Sequence, residues 1–184
     1  MALERHAGRL WTSSAGGPLL VLESHRLNDW GGLDNGDYDR ACATTATVEA
    51  IAVGDGAGLI LGDEPALTAA AERADGLVFV RWGAADDAES VEQAILALQH
   101  APAVDAVDSG LVFHCTGTEI VIFDAVEPGV EQTRYALPAD KDLGDGATRI
   151  ALAPGRYSVR LGELDPRVGS LSVVQLLRVP PARS

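Results

Sequence analysis

Two apolar runs flank a glycine-rich turn in residues 47–61, which read TVEAIAVGDGAGLIL. The runs Thr47–Val53 and Gly58–Leu61 are rich in aliphatic and β-branched side chains, and the Gly-Asp-Gly sequence at 54–56 supplies the conformational freedom of a tight turn. The glycines do not match a phosphate-binding loop, because they lie inside a hairpin pattern and lack the G-x-x-x-x-G-K-[ST] spacing. The segment therefore predicts an antiparallel β-hairpin.

Further apolar runs of strand length recur along the chain and are separated by turn residues. They are Pro18–Leu22, Gly76–Trp82, Leu111–Cys115, Glu119–Phe123, Thr148–Leu152, Arg156–Leu161 and Leu171–Val179. The short link Thr116-Gly117-Thr118 predicts that the runs on either side of it form a second hairpin. The last three runs are punctuated by Pro154-Gly155 and Asp165-Pro166, which is typical of an antiparallel meander.

One amphipathic helix interrupts the strand pattern at about residues 86–100. Apolar side chains recur there at helical spacing, at Ala88, Val91, Ile95 and Leu98. Asp86 occupies an N-cap position with Glu89 three residues later, and Pro102 follows the far end. A weaker helical pattern covers Ala66–Ala74 and predicts a second short helix.

The length and composition of the chain predict one domain, and its hydropathy pattern predicts a cytosolic protein. With 184 residues and 47% hydrophobic content, the chain is expected to form a single α+β domain over residues 1–184. This domain should be mainly antiparallel sheet and end in a disordered tail at 180–184. The N-terminus lacks the apolar run of a secretory signal, and no later segment approaches the ~20 apolar residues of a membrane span. Cys42 and Cys115 are too few for a disulfide framework, so both are expected to be small buried thiols.

Charge is distributed unevenly along the chain. Residues 29–145 contain 23 acidic and five basic residues, a net charge of −18, whereas residues 1–28 carry +1 and residues 146–184 carry +4. Such a field attracts basic protein surfaces and repels nucleic acid and anionic membranes. A solvated acidic surface with no binding role is the alternative, because net charge governs association and solubility rather than fold.

The residue pattern contains no catalytic or metal-binding constellation. The acidic cluster at 34–39 lacks the alternating oxygen ligands of a helix-loop-helix calcium site. His114 and Cys115 are adjacent in a predicted strand, so their side chains should point to opposite faces and cannot share a zinc ion. We therefore expect no metal and no cofactor. A small hydrolase that uses Cys42 with His114 or His25 is the enzymatic alternative.

Aromatic residues bracket part of the acidic region. Trp30 and Tyr38 flank the acidic cluster, and exposed Trp and Tyr often anchor protein interfaces, although core packing of both is the alternative. Trp82 ends an apolar run and is expected in the core. The candidate partner-facing residues are Trp30, Asp34, Asp37, Tyr38, Asp39, Asp63 and Glu64.

Several segments, in order along the chain, form a recognisable set. The specific ones are WTSSAGGPLL at 11–20, DYDRAC at 37–42, VGDG at 53–56 and LGDEP at 61–65. Less specific ones are VRW at 80–82, FDA at 123–125 and LAPGRY at 152–157. Together they resemble the immunity protein 21 family of bacterial polymorphic toxin systems, over about residues 11–161.

The resemblance implies a cytosolic protein that binds and neutralises a toxin made by the same or a sister cell, with no cofactor and no reaction of its own. It does not locate the contact residues. In an alternative framework role, Asp37 and Asp39 cap turns and Arg40 pairs with a buried carboxylate. The charge favours a basic toxin, such as a nuclease, although a deaminase fits equally well. A β-rich structural subunit of an assembly is a further alternative.

Overall fold

The computed structural model describes residues 11–14, 16–62, 67–84, 88–100, 106–133, 147–163 and 170–180. Within these ranges the chain forms eleven strands and four short helical segments. The strands are β1 Trp11–Thr12, β2 Leu19–Glu23, β3 Val48–Val53, β4 Gly56–Leu61, β5 Leu67–Arg73, β6 Gly76–Ala84, β7 Val107–Cys115, β8 Glu119–Asp124, β9 Thr148–Ala151, β10 Gly155–Glu163 and β11 Ser170–Arg178. The helices are a 3₁₀-helix at Ser24–Asp29 and α1 Asp37–Cys42, α2 Ala88–His100 and α3 Gly129–Gln132.

The strands form two sheets, and all described strand pairs are antiparallel. One sheet has six strands in the order β1-β5-β6-β11-β10-β7, and the other has five in the order β3-β4-β2-β8-β9. The predicted α+β class with mainly antiparallel sheet is therefore confirmed. The predicted hairpin around Gly54-Asp55 is also confirmed, as the pair β3–β4.

The two sheets pack face to face around a shared apolar core. Strands β2 to β11 contribute side chains to this core, which includes Leu19 and Val21 of β2 and Leu77 and Phe79 of β6. The intervening residues of β2 and β6 are also buried, because each sheet is covered on its outer face as well. Double-sided burial explains why these strands read as nearly continuous apolar runs.

The helix α2 covers the outer face of the six-stranded sheet. Ile95 and Leu98 of α2 pack on Val78 and Val80 of β6, which confirms the predicted amphipathic helix. Trp82 packs at the border of this second core, where its ring centroid lies 5.9 Å from that of Trp11, and it is half buried rather than fully enclosed. No helix in the described ranges is long and apolar enough to cross a bilayer.

The helix predicted at Ala66–Ala74 is wrong, because the described part of this segment is strand β5, paired with β1 and β6. Alanine favours helices locally, but two neighbouring strands satisfy the backbone of β5 and override that preference. Ala69 and Ala71 face the second core, where α2 packs over this strand. Their small side chains leave room for the helix.

The predicted hairpin of 111–115 with 119–123 is also wrong. The structure assigns β7 to the six-stranded sheet and β8 to the five-stranded sheet, so the link Thr116-Gly117-Thr118 carries the chain from one sheet to the other. Both strands place apolar side chains in the shared core, from opposite sides. The C-terminal meander is likewise limited to the β10–β11 pair, since β9 pairs with β8.

Candidate partner-binding surface

The outer face of the five-stranded sheet is covered by loops and short helices rather than by a long helix. We call this cover the acidic layer and define it as Ser24–Cys42 together with Asp124–Thr133. Trp30 is its central apolar residue: it is 1% exposed and packs on Leu20, Leu22 and Phe123 of the sheet. The Trp30 indole N–H donates to the carbonyl of Ala125 at 3.0 Å, which joins the two halves of the layer.

Burial excludes two of the candidate partner-facing residues from direct surface contact. Trp30 lies in the core, as the core-packing alternative describes. Asp37 is 8% exposed, and its carboxylate accepts hydrogen bonds from the Gly31 N–H at 2.9 Å and from Arg40 at 2.7 Å. Asp37 is thus the buried carboxylate with which Arg40 pairs.

The remaining candidates divide by exposure. Asp34 and Asp39 are exposed, and Tyr38 is half buried against the core of the acidic layer. A hydrogen bond with Cys42 and partial burial raise the pKa of Tyr38. Asp63 and Glu64 lie outside the described residues.

Two exposed apolar side chains in the acidic layer were missed by the sequence interpretation. Leu33 is 62% exposed and Val130 is 48% exposed. Their segments are joined by backbone hydrogen bonds, from Leu33 N–H to the Val126 carbonyl at 3.3 Å and from Gly129 N–H to the Trp30 carbonyl at 2.9 Å. Leu33 and Val130 are distant in sequence, so no local pattern links them.

The charge of the acidic layer is strongly one-sided. It contains seven acidic residues against two arginines, Arg26 and Arg40, which leaves a net charge of −5. Both arginines are already engaged, Arg26 by Glu23 and Asp55 and Arg40 by Asp37. Five exposed carboxylates have no ion-pair partner within the described ranges: Asp29, Asp34, Asp39, Glu127 and Glu131.

A buried carboxylate, Glu23, lies at the end of β2 beside this layer. Its side chain is 2% exposed and accepts hydrogen bonds from the Thr116 N–H at 2.5 Å, the Gly117 N–H at 2.8 Å, the Thr116 hydroxyl at 3.0 Å and Arg26 Nε at 3.1 Å. Burial raises the pKa of Glu23, but these hydrogen bonds outweigh it and hold the pKa below its ordinary value. Glu23 therefore secures the link that carries the chain between the two sheets.

Cys115 and His25 lie near this carboxylate, which brings a thiol, an imidazole and a carboxylate into one region. The Cys115 thiol is 3% exposed and donates to the carbonyls of Gly117 at 3.4 Å and Leu152 at 3.6 Å. Burial and the charge of Glu23 raise the pKa of Cys115 to about 11. Because the thiolate is the reactive form, this environment makes Cys115 an inert structural thiol at neutral pH.

The enzymatic alternative draws its residues from three elements: Cys42 from α1, His25 from the 3₁₀-helix and His114 from β7. Cys42 is exposed, contrary to the prediction that it is buried, because the adjacent Ala41 occupies the inward face of α1 and the next residue turns toward solvent. His25 lies beside Glu23, with His25 Nε2 4.0 Å from the carboxylate, and His114 lies opposite Arg156 on β10. Among the described residues, no hydrogen bond joins Cys42 to either histidine, and no group of His, Cys, Asp or Glu is arranged to hold a metal ion.

Comparison with known protein families identifies the family of this chain. The profile of the immunity protein 21 family matches residues 10–169, which is nearly the whole chain. The chain belongs to the immunity protein 21 family. The match confirms the resemblance seen over residues 11–161 and implies an immunity protein that acts against a toxin. No curated protein and no solved structure gives a significant match.

Proposed function

We propose that this immunity protein neutralises its toxin by binding a basic surface of the toxin through the acidic layer, without a reaction of its own. The observation that carries the proposal is the set of exposed, unpaired carboxylates on a layer whose two arginines are both engaged. Asp34 and Asp39 are the candidate contacts from this set. The half-buried Tyr38 is a further candidate contact, at the edge of the acidic layer.

Electrostatics supports a basic partner. The net charge of −18 over residues 29–145 creates a field that concentrates positively charged surfaces near the protein. Complementary charge speeds association and disfavours partners of the same sign. A toxin that acts on nucleic acid presents a basic cleft to its substrate, and a carboxylate-bearing surface can occupy that cleft and exclude the substrate. A nuclease is therefore the toxin class we favour.

Inhibition by binding also accords with the chemistry of the two cysteines. Cys115 is held as a protonated, buried thiol, and in the described part of the chain no hydrogen bond joins Cys42 to His25 or His114. We place the protein in the cytosol, where both thiols remain reduced and where a nuclease toxin would reach its substrate. The inhibitor would then meet the toxin at its site of action.

Co-expression with the toxin domain encoded by the neighbouring gene tests the proposal. We expect the immunity protein to restore growth and the purified pair to associate at least about tenfold faster at low salt than at high salt. The salt range should run from about 0.01 M, where the screening length is about 30 Å, to about 1 M, where it is about 3 Å. Growth that stays arrested and a complex that does not form would reject the proposal.

Charge reversal tests whether the acidic layer is responsible for the salt-dependent association. Asp34→Lys combined with Asp39→Lys should slow association and leave the melting temperature nearly unchanged, because neither side chain has a described ion-pair partner. The matched control is Glu72→Lys combined with Glu163→Lys, which reverses two exposed charges on the six-stranded sheet. Equal slowing by both double variants would assign the effect to net charge and not to the acidic layer.

A further inference from the structure

Three consecutive exposed residues of the acidic layer lie in the six-residue loop Gly31–Gly36, which we call the tip loop. Leu33 is 62% exposed in it, and the neighbouring side chains Asp34 and Asn35 are also exposed. Transfer of a leucine side chain from water to an apolar site is favourable, so the exposure of Leu33 leaves a favourable burial unused in the free protein.

Hydrogen bonds hold the tip loop in one conformation. The Leu33 N–H donates to the Val126 carbonyl at 3.3 Å, and the Asp34 N–H donates to the Gly31 carbonyl at 3.1 Å. At the start of the loop, the Gly31 N–H donates to the Asp37 carboxylate at 2.9 Å. The exposure of Leu33 is therefore built into the loop.

The packing of Gly32 adds a second restraint. Its φ angle is +61°, and a Cβ atom at this position would lie 2.4 Å from the Val126 carbonyl oxygen. Only glycine fits both the backbone conformation and the close approach. The loop is thus pressed against the 126–130 segment, which carries the exposed Val130.

We propose that Leu33 is the apolar anchor of the toxin contact and inserts into an apolar pocket whose rim carries lysine or arginine side chains. This inference rests on the proposed function. The basic rim of the pocket follows from charge complementarity, because two exposed carboxylates lie close to Leu33 in the fold. Asp34 is the next residue, and Glu127 follows Val126, whose carbonyl accepts the Leu33 N–H. Binding would cost little conformational entropy, since the loop is already ordered.

Truncation of the anchor tests the proposal. Leu33→Ser should raise the dissociation constant for the neighbouring gene's toxin domain by about tenfold or more, the effect expected of an interface anchor. Leu96→Ser is the matched control, because Leu96 is 48% exposed on α2, over the opposite sheet, and it should change the constant less than about threefold. Both variants should keep the wild-type melting temperature, since each removes an exposed side chain.

Hydroxyl-radical footprinting of the wild-type complex provides a second test without any substitution. Radicals oxidise exposed aliphatic side chains, so Leu33 should be labelled in the free protein and protected in the complex. Leu96 and Val107, which are 48% and 75% exposed, should be labelled equally in both. Equal labelling of Leu33 in the free protein and the complex would overturn the proposal.

The outcomes separate this inference from the proposed function. If the wild-type chain neither binds the toxin domain nor restores growth, the proposed function fails. If the wild type binds, and Leu33→Ser binds as tightly as Leu96→Ser, only the anchor is refuted and the contact lies elsewhere. Weaker toxin binding by Leu33→Ser, together with protection of Leu33 in the wild-type complex, supports the anchor.

Discussion

Replacement of Glu23 by glutamine tests whether this carboxylate secures the crossing between the two sheets. Oε1 accepts hydrogen bonds from the Thr116 N–H, the Thr116 hydroxyl and the Gly117 N–H, and Oε2 accepts one from Arg26. The Thr116 hydroxyl also lies within 3.4 Å of Oε2. Glutamine retains one carbonyl oxygen but places an NH₂ group where Arg26 Nε now donates. The substitution therefore removes the negative charge and brings two hydrogen-bond donors, the glutamine NH₂ group and Arg26 Nε–H, face to face. The size of the side chain hardly changes.

The expected loss follows from these four bonds. A hydrogen bond to a charged group contributes about 1.5–3 kcal/mol and one between neutral groups about 0.5–1.5 kcal/mol. Weakening the three bonds to Oε1 and losing the one from Arg26 should lower the free energy of unfolding by about 3 kcal/mol, within the range for disrupting a buried ion pair. Glu49→Gln is the control, because Glu49 is exposed on β3. This substitution should lower the free energy of unfolding by less than about 0.5 kcal/mol.

The pH dependence gives the same variant a second readout. The pKa of Glu23 is lowered in the folded protein, so its contribution is present above the unfolded value of 4.5 and is lost as the pH falls through the lower folded value. The difference in stability between wild type and Glu23→Gln should shrink in that acidic range. Urea denaturation followed by circular dichroism, at pH 7 and at acidic pH, measures the free energy of unfolding of both proteins. A difference below about 1 kcal/mol at pH 7, or one that does not change with pH, would refute the reasoning.

Three further predictions concern the core, the thiols and the tip loop. Phe123→Ala should lower the free energy of unfolding by about 3–5 kcal/mol, because the ring is 1% exposed and its removal leaves a cavity; an unchanged denaturation midpoint would place the ring outside the core. A thiol-reactive chromophore should label Cys42 rapidly in the native protein and Cys115 only after unfolding, since the Cys115 pKa is raised to about 11; rapid labelling of native Cys42→Ser would contradict this. Gly32→Ala should destabilise by about 1–3 kcal/mol, because the new methyl group meets the Val126 carbonyl at a positive φ angle, and a thermal melt equal to wild type would refute it.

Local patterns predicted the elements whose partners are close in sequence. The β3–β4 hairpin was predictable because its turn and both strands lie within residues 47–61. The helix α2 was predictable because its apolar positions recur at helical spacing. Strand β5 was not, since its alanines favour a helix in isolation and only pairing with β1 and β6 makes it a strand.

The candidate surface was predicted in part. The excess of acidic residues and the position of Asp34 and Asp39 were visible in the sequence, but the burial of Trp30 and Asp37 was not. A tryptophan beside an acidic cluster has the same local pattern whether it faces solvent or the core. Its placement depends on Leu20 and Phe123, which come from two other strands.

The sequence by itself determined the family, the mainly antiparallel class and the charge of this protein, because each depends on composition, order or short-range periodicity. The tertiary structure alone decided how strands distant in sequence are divided between the two sheets and which side chains reach the surface. The link at Thr116–Thr118 is the clearest case: a glycine flanked by two threonines is compatible with a hairpin or with a crossing. In the folded protein β7 pairs with β10 and β8 with β2, and the buried carboxylate of Glu23, 93 residues before Thr116, accepts hydrogen bonds from the link in the crossing.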